Sequence, residues 1–141
     1  MSALITCESQ MKNRKELIAA LEQIGVPSKV IRTSSGDEKL NLQGYGRQKG
    51  EVDVLIKNAE FHNGYGDVGF NKNSAGTFDV LVDDLDDVGA LKRKVKAPKS
   101  FTASLKQHYS ALVVAASLRK QGFFPSIKQD GTKLKVVARS Y

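Results

Sequence analysis

The spacing of hydrophobic residues predicts two helices. In the first, apolar side chains recur every three or four positions, at Leu17, Ile18, Leu21 and Ile24. This spacing places them on one face of a helix. Asn13 is a suitable N-cap for that helix, and Gly25 is a suitable end. The second helix begins near Pro98 and Ser100 and ends at Gly122. Its expected buried stripe is Leu105, Tyr109, Leu112 and Ala116.

Alternation of hydrophobic and polar residues predicts a series of short strands. The predicted strands are residues 3–6, residues 28–33, the segment around Leu40 and Leu42, the alternating Val52, Val54 and Ile56, and residues 77–82. A last hairpin joins residues 126–129 to residues 132–138 through a type I′ turn at Asp130-Gly131. Short connections and many hairpins favour an α+β fold, with two helices on one face of an antiparallel sheet.

Two segments of the chain are similar to each other. Residues 23–30 and 121–128 both pass from a helix end at glycine, through a Pro-Ser pair, into a predicted strand. Either the chain holds two pseudo-repeated β-α-β-β units, or the likeness arises by chance, because glycine and proline are common at helix ends. A chain of 141 residues has the usual size of one domain, so we expect a single domain over residues 1–141.

Composition excludes several classes of protein. The chain is 40% hydrophobic and 26% charged, as in ordinary globular proteins. No run approaches the roughly 18 apolar residues of a membrane span, and the N-terminus does not have the pattern of a signal peptide. A single cysteine, Cys7, cannot form an internal disulfide. We therefore expect a cytoplasmic protein that does not contact a membrane.

Charge is distributed unevenly along the chain. The net charge is +7, but residues 89–141 carry twelve cations and one carboxylate, a net charge of +11. Residues 1–88 have a net charge of −4. Such a field attracts anionic partners. We predict contact with an anionic macromolecule through the basic residues Lys92, Arg93, Lys94, Lys96, Lys99, Lys106, Arg119, Lys120 and Arg139.

Two dense runs of charge lie close together in the sequence. Residues 83–87 hold four carboxylates, and residues 92–99 hold five cations. Carboxylate oxygens suit Mg²⁺ or Ca²⁺, but the spacing departs from that of a calcium-binding loop. We interpret Asp83–Asp87 as a solvated acidic loop and expect no bound metal. The basic run is either a contact for phosphates or anionic surfaces or an exposed linker that pairs loosely with the acidic run.

Residues typical of catalytic or cofactor sites are sparse. His62 and His108 lie far apart with no cysteine nearby, which argues against zinc. The glycines do not form a phosphate-binding loop. Core packing explains most aromatic residues of the basic half, which are Phe101, Tyr109, Phe123 and Phe124. We expect no cofactor and favour a non-enzymatic binding or regulatory protein that contacts a host protein or complex. Two alternatives stay open: sequence-tolerant binding of nucleic acid, RNA in particular, and a Mg²⁺-dependent enzyme that uses Asp83–Asp87.

One motif resembles a known family. Asn63, Gly64, Tyr65, Asp67, Gly69 and Phe70 follow the Asn-Gly-Tyr-Asp-Ile-Gly-Phe signature of the hypothetical chloroplast reading frame 35 family, also called domain of unknown function 1257. Individually weaker matches extend the resemblance over nearly the whole chain. They lie at residues 17–25, 44–45, 107–109, 121–123 and 136–139.

The chain departs from the family pattern at three places. Gly66 is an insertion in the signature, Ser2-Ala3-Leu4 stands where Ser-His-Phe is typical, and residues 82–85 replace an Ala-Asp-Trp-Trp stretch. The resemblance implies no particular activity. Its members are encoded in algal plastids, cyanobacteria, other bacteria and cyanophages. The resemblance therefore fits a diverged member, for instance a phage-borne one, that acts in the cytoplasm, in the host cytoplasm if it is encoded by a phage, or in a compartment like the plastid stroma.

Overall fold

Four α-helices and nine strands, with short 3-10 turns at Ser28–Val30 and Asn58–Glu60, make up the computed structural model, which describes residues 2–131 and 133–140. The helices are Arg14–Gln23 (α1), Asp84–Val88 (α2), Ala90–Val95 (α3) and Phe101–Lys120 (α4). The strands are Leu4–Cys7 (β1), Ile31–Thr33 (β2), Leu40–Gln43 (β3), Lys49–Val52 (β4), Val54–Ile56 (β5), Val68–Lys72 (β6), Phe78–Asp83 (β7), Phe124–Asp130 (β8) and Lys133–Arg139 (β9).

The central layer is an antiparallel sheet of five strands in the order β1-β7-β6-β5-β2. Side chains on one face of this sheet, such as Phe70 and Val80, are opposite each other in the register and fully buried. They pack with Leu17 and Leu21 of α1 and with Leu105 of α4. The predicted α+β fold, with helices packed on one face of an antiparallel sheet, is therefore confirmed.

A hairpin of β3 and β4 covers the opposite face of the sheet. Leu42 and Val52 of this hairpin pack against Leu55 of β5 in a second apolar cluster. Gly69 makes the close approach possible, because a Cβ atom at this position would lie 2.6 Å from Cγ1 of Val52. The molecule therefore has three layers: helices, the five-stranded sheet and the β3–β4 hairpin.

Asp53 marks the point where the chain crosses between two of these layers. Its N–H donates to the carbonyl of Phe70 at 2.8 Å, and its carboxylate accepts from Nζ of Lys39 and from the N–H of Lys72, both at 2.7 Å. Burial favours the neutral acid, but these hydrogen bonds and the charges of Lys39 and Arg14 outweigh burial and hold the pKa of Asp53 below its ordinary value. The predicted alternation of Val52 and Val54 thus spans two strands in different layers.

The long helix α4 begins where the sequence predicts. Oγ of Ser100 accepts a hydrogen bond from the N–H of Ala103 at 3.1 Å, which caps the first turn. The predicted hairpin of β8 and β9 is also present, as a separate two-stranded sheet packed along α4. Asp130 is opposite Lys133 in the register, so the turn lies one position later than predicted. Thr132, the predicted first residue of the last strand, lies outside the described residues.

The two similar segments have different structures. Residues Ser28–Val30 form a 3-10 turn rather than the first half of a strand, since the N–H of Val30 donates to the carbonyl of Pro27 at 3.1 Å. After the first segment, β2 joins the central sheet and β3 pairs with β4; after the second, β8 and β9 pair with each other. The pairing of strands therefore does not follow the predicted repeat. Within the described part of the chain, no helix combines the length and hydrophobicity needed to cross a bilayer.

Candidate functional site

The acidic run is not the solvated loop that the sequence analysis predicted. It forms the capped start of α2, where Oδ1 of Asp83 accepts from the N–H groups of Leu85 and Asp86 at 3.0 and 3.3 Å. Asp83 and Asp86 are each only 1% exposed. Carboxylates are favourable at a helix N-terminus because the first N–H groups have no partner within the helix. Capping of α2 therefore explains why a carboxylate stands at Asp83, the first position of the run.

The other carboxylates of the run reach distant parts of the chain. Oδ1 of Asp84 accepts from the N–H of Ala3 at 2.8 Å. Oδ1 of Asp87 accepts from the N–H and the hydroxyl of Thr102, at 2.8 and 2.7 Å, and so helps to cap α4. Within residues 2–131 and 133–140, no group of three His, Cys, Asp or Glu side chains is placed to hold a metal ion. The run acts as a set of anchors that joins β1, α2 and α4.

Asp86 anchors the loop between β5 and β6, residues 57–67. Its carboxylate accepts from the N–H of Tyr65 at 3.0 Å and from the N–H of Gly66 at 3.1 Å. Nε2 of His62 lies 2.8 Å from the carbonyl oxygen of Gly66 and 3.6 Å from Oδ2 of Asp86. Because a carbonyl only accepts, Nε2 carries the hydrogen. Burial lowers the pKa of His62, so the neutral imidazole is favoured.

A second buried carboxylate ties this loop to the β3–β4 hairpin. Oδ1 of Asp67 accepts from the N–H of Asn58 at 2.9 Å, and Oδ2 accepts from the N–H of Gln43 at 3.0 Å. The loop and the hairpin also touch directly, since a Cβ atom on Gly66 would lie 2.9 Å from the Cα of Gly44. The two loops are therefore held as one unit.

Two tyrosines project from this unit into solvent. Tyr65 is 48% exposed, and Tyr45, in the β3–β4 connection, is 47% exposed. Their rings meet edge to face, with centroids 5.5 Å apart and an interplanar angle of 81°. Within the described residues, neither hydroxyl has a hydrogen-bond partner. The sequence does not indicate this pair, because Tyr65 lies in the family signature and Tyr45 in a separate and weaker match.

The basic run at residues 92–99 is mostly exposed, as a linker would be, but its first half is helical. Lys92, Arg93 and Lys94 lie in α3, and Lys96 ends that helix in a left-handed conformation with φ of 56°. Nζ of Lys94 lies 5.6 Å from the ring centroid of Phe61, so this cation faces the loop of residues 57–67. The run therefore divides between two surfaces of the molecule.

Three lysines, two from the connection between α3 and α4 and one from the start of β9, line clefts near the tip of the last hairpin. Lys99 and Lys133 line a cleft of about 320 Å³, and Lys96 lines an adjoining cleft of about 370 Å³. The two clefts share Pro98, Ser104 and Gln107. No acidic side chain occurs among the described residues that line either one. We call these joined clefts, with Lys96, Lys99 and Lys133, the basic cleft; Lys133 was not among the predicted contact residues.

The remaining predicted contact residues lie elsewhere. Nζ of Lys106 donates to the backbone carbonyl of Glu8 at 2.9 Å. Arg119 and Lys120 are in the last turn of α4, and Arg139 ends β9. The basic cleft extends along α4 to His108, so roughly 16 Å of helix separates it from Arg119 at 1.5 Å per residue. The predicted cations thus form two groups near opposite ends of α4, with Lys96 and Lys99 in one and Arg119, Lys120 and Arg139 in the other. The other four, Lys92, Arg93, Lys94 and Lys106, belong to neither group.

The three layers and the anchored loops define a small α+β protein. Residues 20–136 match a family described as Protein of unknown function (DUF1257). The match covers well over half of the chain, and the chain belongs to this family. No curated protein and no solved structure matches it. The matched region contains the tyrosine pair and the basic cleft.

Proposed function

We propose that this protein is a non-enzymatic binding protein that contacts an anionic macromolecule through the basic cleft. The observation that supports the proposal is the convergence of Lys96, Lys99 and Lys133 on adjoining clefts whose described linings hold no acidic side chain. Lysine offers a compact, mobile ammonium that suits carboxylate and phosphate groups. A host protein or complex with an acidic surface is the partner that fits best.

The surrounding charge strengthens this cleft as an anion site. Residues 89–141 have a net charge of +11. The carboxylate of this segment, Asp130, pairs at 3.0 Å with Lys135, which lies outside the cleft. Uncompensated cations raise the local concentration of anionic partners and speed their encounter.

The test compares two variants with the same change in net charge. One carries Lys96→Gln, Lys99→Gln and Lys133→Gln; the control carries Lys15→Gln, Lys29→Gln and Lys49→Gln at exposed positions outside the cleft. A fluorescent glutamate homopolymer is the probe, and its affinity is measured at increasing salt. We expect the cleft variant to lose about tenfold in affinity and the control to lose clearly less. Equal losses in both variants would overturn the proposal of a specific site.

A second candidate function is sequence-tolerant RNA binding at the other end of α4. The observation that favours it is Phe124, which is 51% exposed, lines a cleft with Arg119 and is opposite Arg139 in the register. Bases stack on exposed aromatic rings next to arginine. We expect Phe124→Ala to weaken binding of a uridine oligonucleotide by about tenfold. An unchanged affinity rules out this role for the ring.

We further propose that the protein acts in the cytoplasm, or in the host cytoplasm if the chain is encoded by a phage. The thiol of Cys7 is free. Burial, together with the charge of Asp87, raises the pKa of this thiol above its ordinary value, which keeps it protonated and poorly reactive. Such a thiol is suited to a reducing compartment. Fractionation of cells that express the native chain tests this location.

A further inference from the structure

The basic cleft contains one titratable side chain that the proposed function does not use. His108 lies on α4, is half-buried, and lines the part of the cleft that also holds Lys96. Its Nδ1 lies 3.0 Å from Oε1 of Gln23 on α1. Because an amide oxygen only accepts, Nδ1 carries the hydrogen of the neutral ring. Among the described residues Nε2 has no hydrogen-bond partner, so a second proton adds at Nε2.

The lining around His108 offers no negative charge to a protonated ring. It comes from α1, from α3 and its connection to α4, from α4 itself and from the last hairpin. Among its described residues Lys96 is charged, while the polar side chains of Gln23, Gln107 and Gln129 are neutral. Burial therefore lowers the pKa of His108 below its ordinary value of 6.5. In the empty cleft the ring is neutral at neutral pH.

We propose that the basic cleft takes up a proton at His108 when an anion binds, and that it therefore holds an acidic partner more tightly at mildly acidic pH than at neutral pH. This inference rests on the proposed function of the cleft. A negative charge that enters the cleft favours the imidazolium over the neutral ring. By linkage, the imidazolium raises the affinity for the anion by the same factor. His108 then adds a fourth cation to Lys96, Lys99 and Lys133.

The direction of the pH effect follows from the two pKa values of His108. In the free protein the pKa lies below its ordinary value, and an anion in the cleft raises it. Well above both pKa values the ring is neutral whether or not the anion is bound, so pH does not change the affinity through this group. As the pH falls between the two values, binding takes up a proton and the affinity rises.

The experiment measures how tightly the full chain binds fluorescent dextran sulfate at constant ionic strength, between about pH 8 and about pH 5.5. Sulfate esters keep their charge over this range, so the probe itself does not titrate. We expect the wild-type chain to gain about threefold in affinity towards the acidic end, because a nearby charge moves the pKa of an imidazole by roughly one unit. His108→Gln, whose amide can still donate to Gln23 but takes up no proton, should lose this gain.

His62→Gln is the matched control, because His62 lies in the loop of residues 57–67 and is not part of the described lining of the cleft. It should keep the gain of the wild-type chain. Circular dichroism checks that each variant is folded, and NMR titration of the His108 ring should show its pKa rising when the probe is added.

The outcomes separate this inference from the proposed function. A pKa of His108 that does not rise with the probe, or an equal gain in His108→Gln and in the wild-type chain, overturns the inference and leaves the proposed function standing. If the triple variant of Lys96, Lys99 and Lys133 to Gln binds the probe as tightly as the wild-type chain at every pH, the cleft is not the anion site. The proposed function and this inference then fail together.

Discussion

The carboxylate of Asp86 holds the backbone N–H of Tyr65 at 3.0 Å, although the two residues are 21 positions apart. Asp86 lies on a short helix, and Tyr65 lies in the loop between two central strands. The contact therefore links an acidic run that looks solvated in the sequence to a surface that presents two aromatic rings. A buried carboxylate with several N–H donors is a strong and specific anchor.

The first prediction concerns this anchor. We expect Asp86→Asn to lower the free energy of unfolding by about 2 kcal/mol, because an amide group has one acceptor oxygen and would place its own N–H₂ against backbone donors. Urea denaturation measures the loss. Asp84→Asn is the control: Asp84 is half-buried and its carboxylate binds the N–H of Ala3, so its loss should be smaller. Equal losses would show that Asp86 has no special place in the fold.

The second prediction concerns the contact between the sheet and the β3–β4 hairpin. A Cβ atom on Gly69 would lie 2.6 Å from Cγ1 of Val52, so Gly69→Ala should lower the free energy of unfolding by about 1–3 kcal/mol through overpacking. Shortening the neighbour should relieve the clash. In a double-mutant cycle we expect Gly69→Ala to cost less in the background of Val52→Ala than in the wild-type chain. Strictly additive losses would contradict this account of the layer contact.

The third prediction is a dependence of stability on pH. Burial lowers the pKa of His62 below its ordinary value of 6.5, and the hydrogen bond to Gly66 and the charge of Asp86 offset burial only in part. The unfolded chain then binds the proton more strongly than the folded protein does. Stability should be full above about pH 6.5 and fall as the pH drops towards the folded pKa.

A non-titrating variant isolates this contribution. The amide of His62→Gln can still donate to the carbonyl of Gly66 but does not take up a proton, so the slope of unfolding free energy against pH should be flatter between about pH 7 and 5. Burial also lowers the pKa of His108. For that reason His108→Gln should flatten the slope as well, and the double variant should be flattest. If His62→Gln keeps the wild-type slope, His62 is not the titrating group.

The fourth prediction concerns Asp53 at the crossing between layers. Lys39→Met removes the ammonium that lies 2.7 Å from Oδ2 of Asp53 while keeping a side chain of similar length. Because the hydrogen bond and charge of Lys39 help to hold the pKa of Asp53 below its ordinary value of 3.8, we expect that pKa to rise. Carbon-detected NMR titration of the carboxyl group measures it directly.

The sign of the effect on stability follows from linkage. In the wild-type chain, Asp53 stabilises the fold above its unfolded pKa, and this stability is lost as the pH falls through the lower folded pKa. As the pH falls, the Lys39→Met variant should therefore lose less unfolding free energy through the protonation of Asp53 than the wild-type chain does. Lys29→Met, at an exposed position remote in sequence from Asp53, is the control and should leave the titration of Asp53 as it is. If the pKa of Asp53 is unchanged in the Lys39→Met variant, Lys39 does not hold that pKa low.

Local signals in the sequence predicted the helices α1 and α4 and the last hairpin. A cap such as Ser100 and a turn near Gly131 act on residues within a few positions, so spacing alone reveals them. The wrong prediction for the acidic run concerns residues whose partners are remote. Asp83–Asp87 looks like a loop because the sequence does not show that Tyr65, Thr102 and Ala3 will supply backbone donors.

The candidate sites were hidden for the same reason. Tyr45 and Tyr65 meet only because Gly44 and Gly66 allow two loops to touch. Lys133 joins Lys99 only because the last hairpin folds back along α4. Charge counting finds the basic half of the chain, but it does not tell which cations share a cleft, since that depends on packing between elements.

The anchoring of Tyr65 by Asp86 has a consequence for how the protein is made. During synthesis, the ribosome adds the signature loop before it adds the carboxylate that orders this loop, and α4 follows later still. A nascent chain that stops before residue 83 carries both tyrosines without the support that fixes Tyr65, and a synthetic peptide of residues 57–70 is in the same situation. The loop that carries Tyr65 therefore reaches its final arrangement only after α2 has been made and the carboxylate of Asp86 has packed against it.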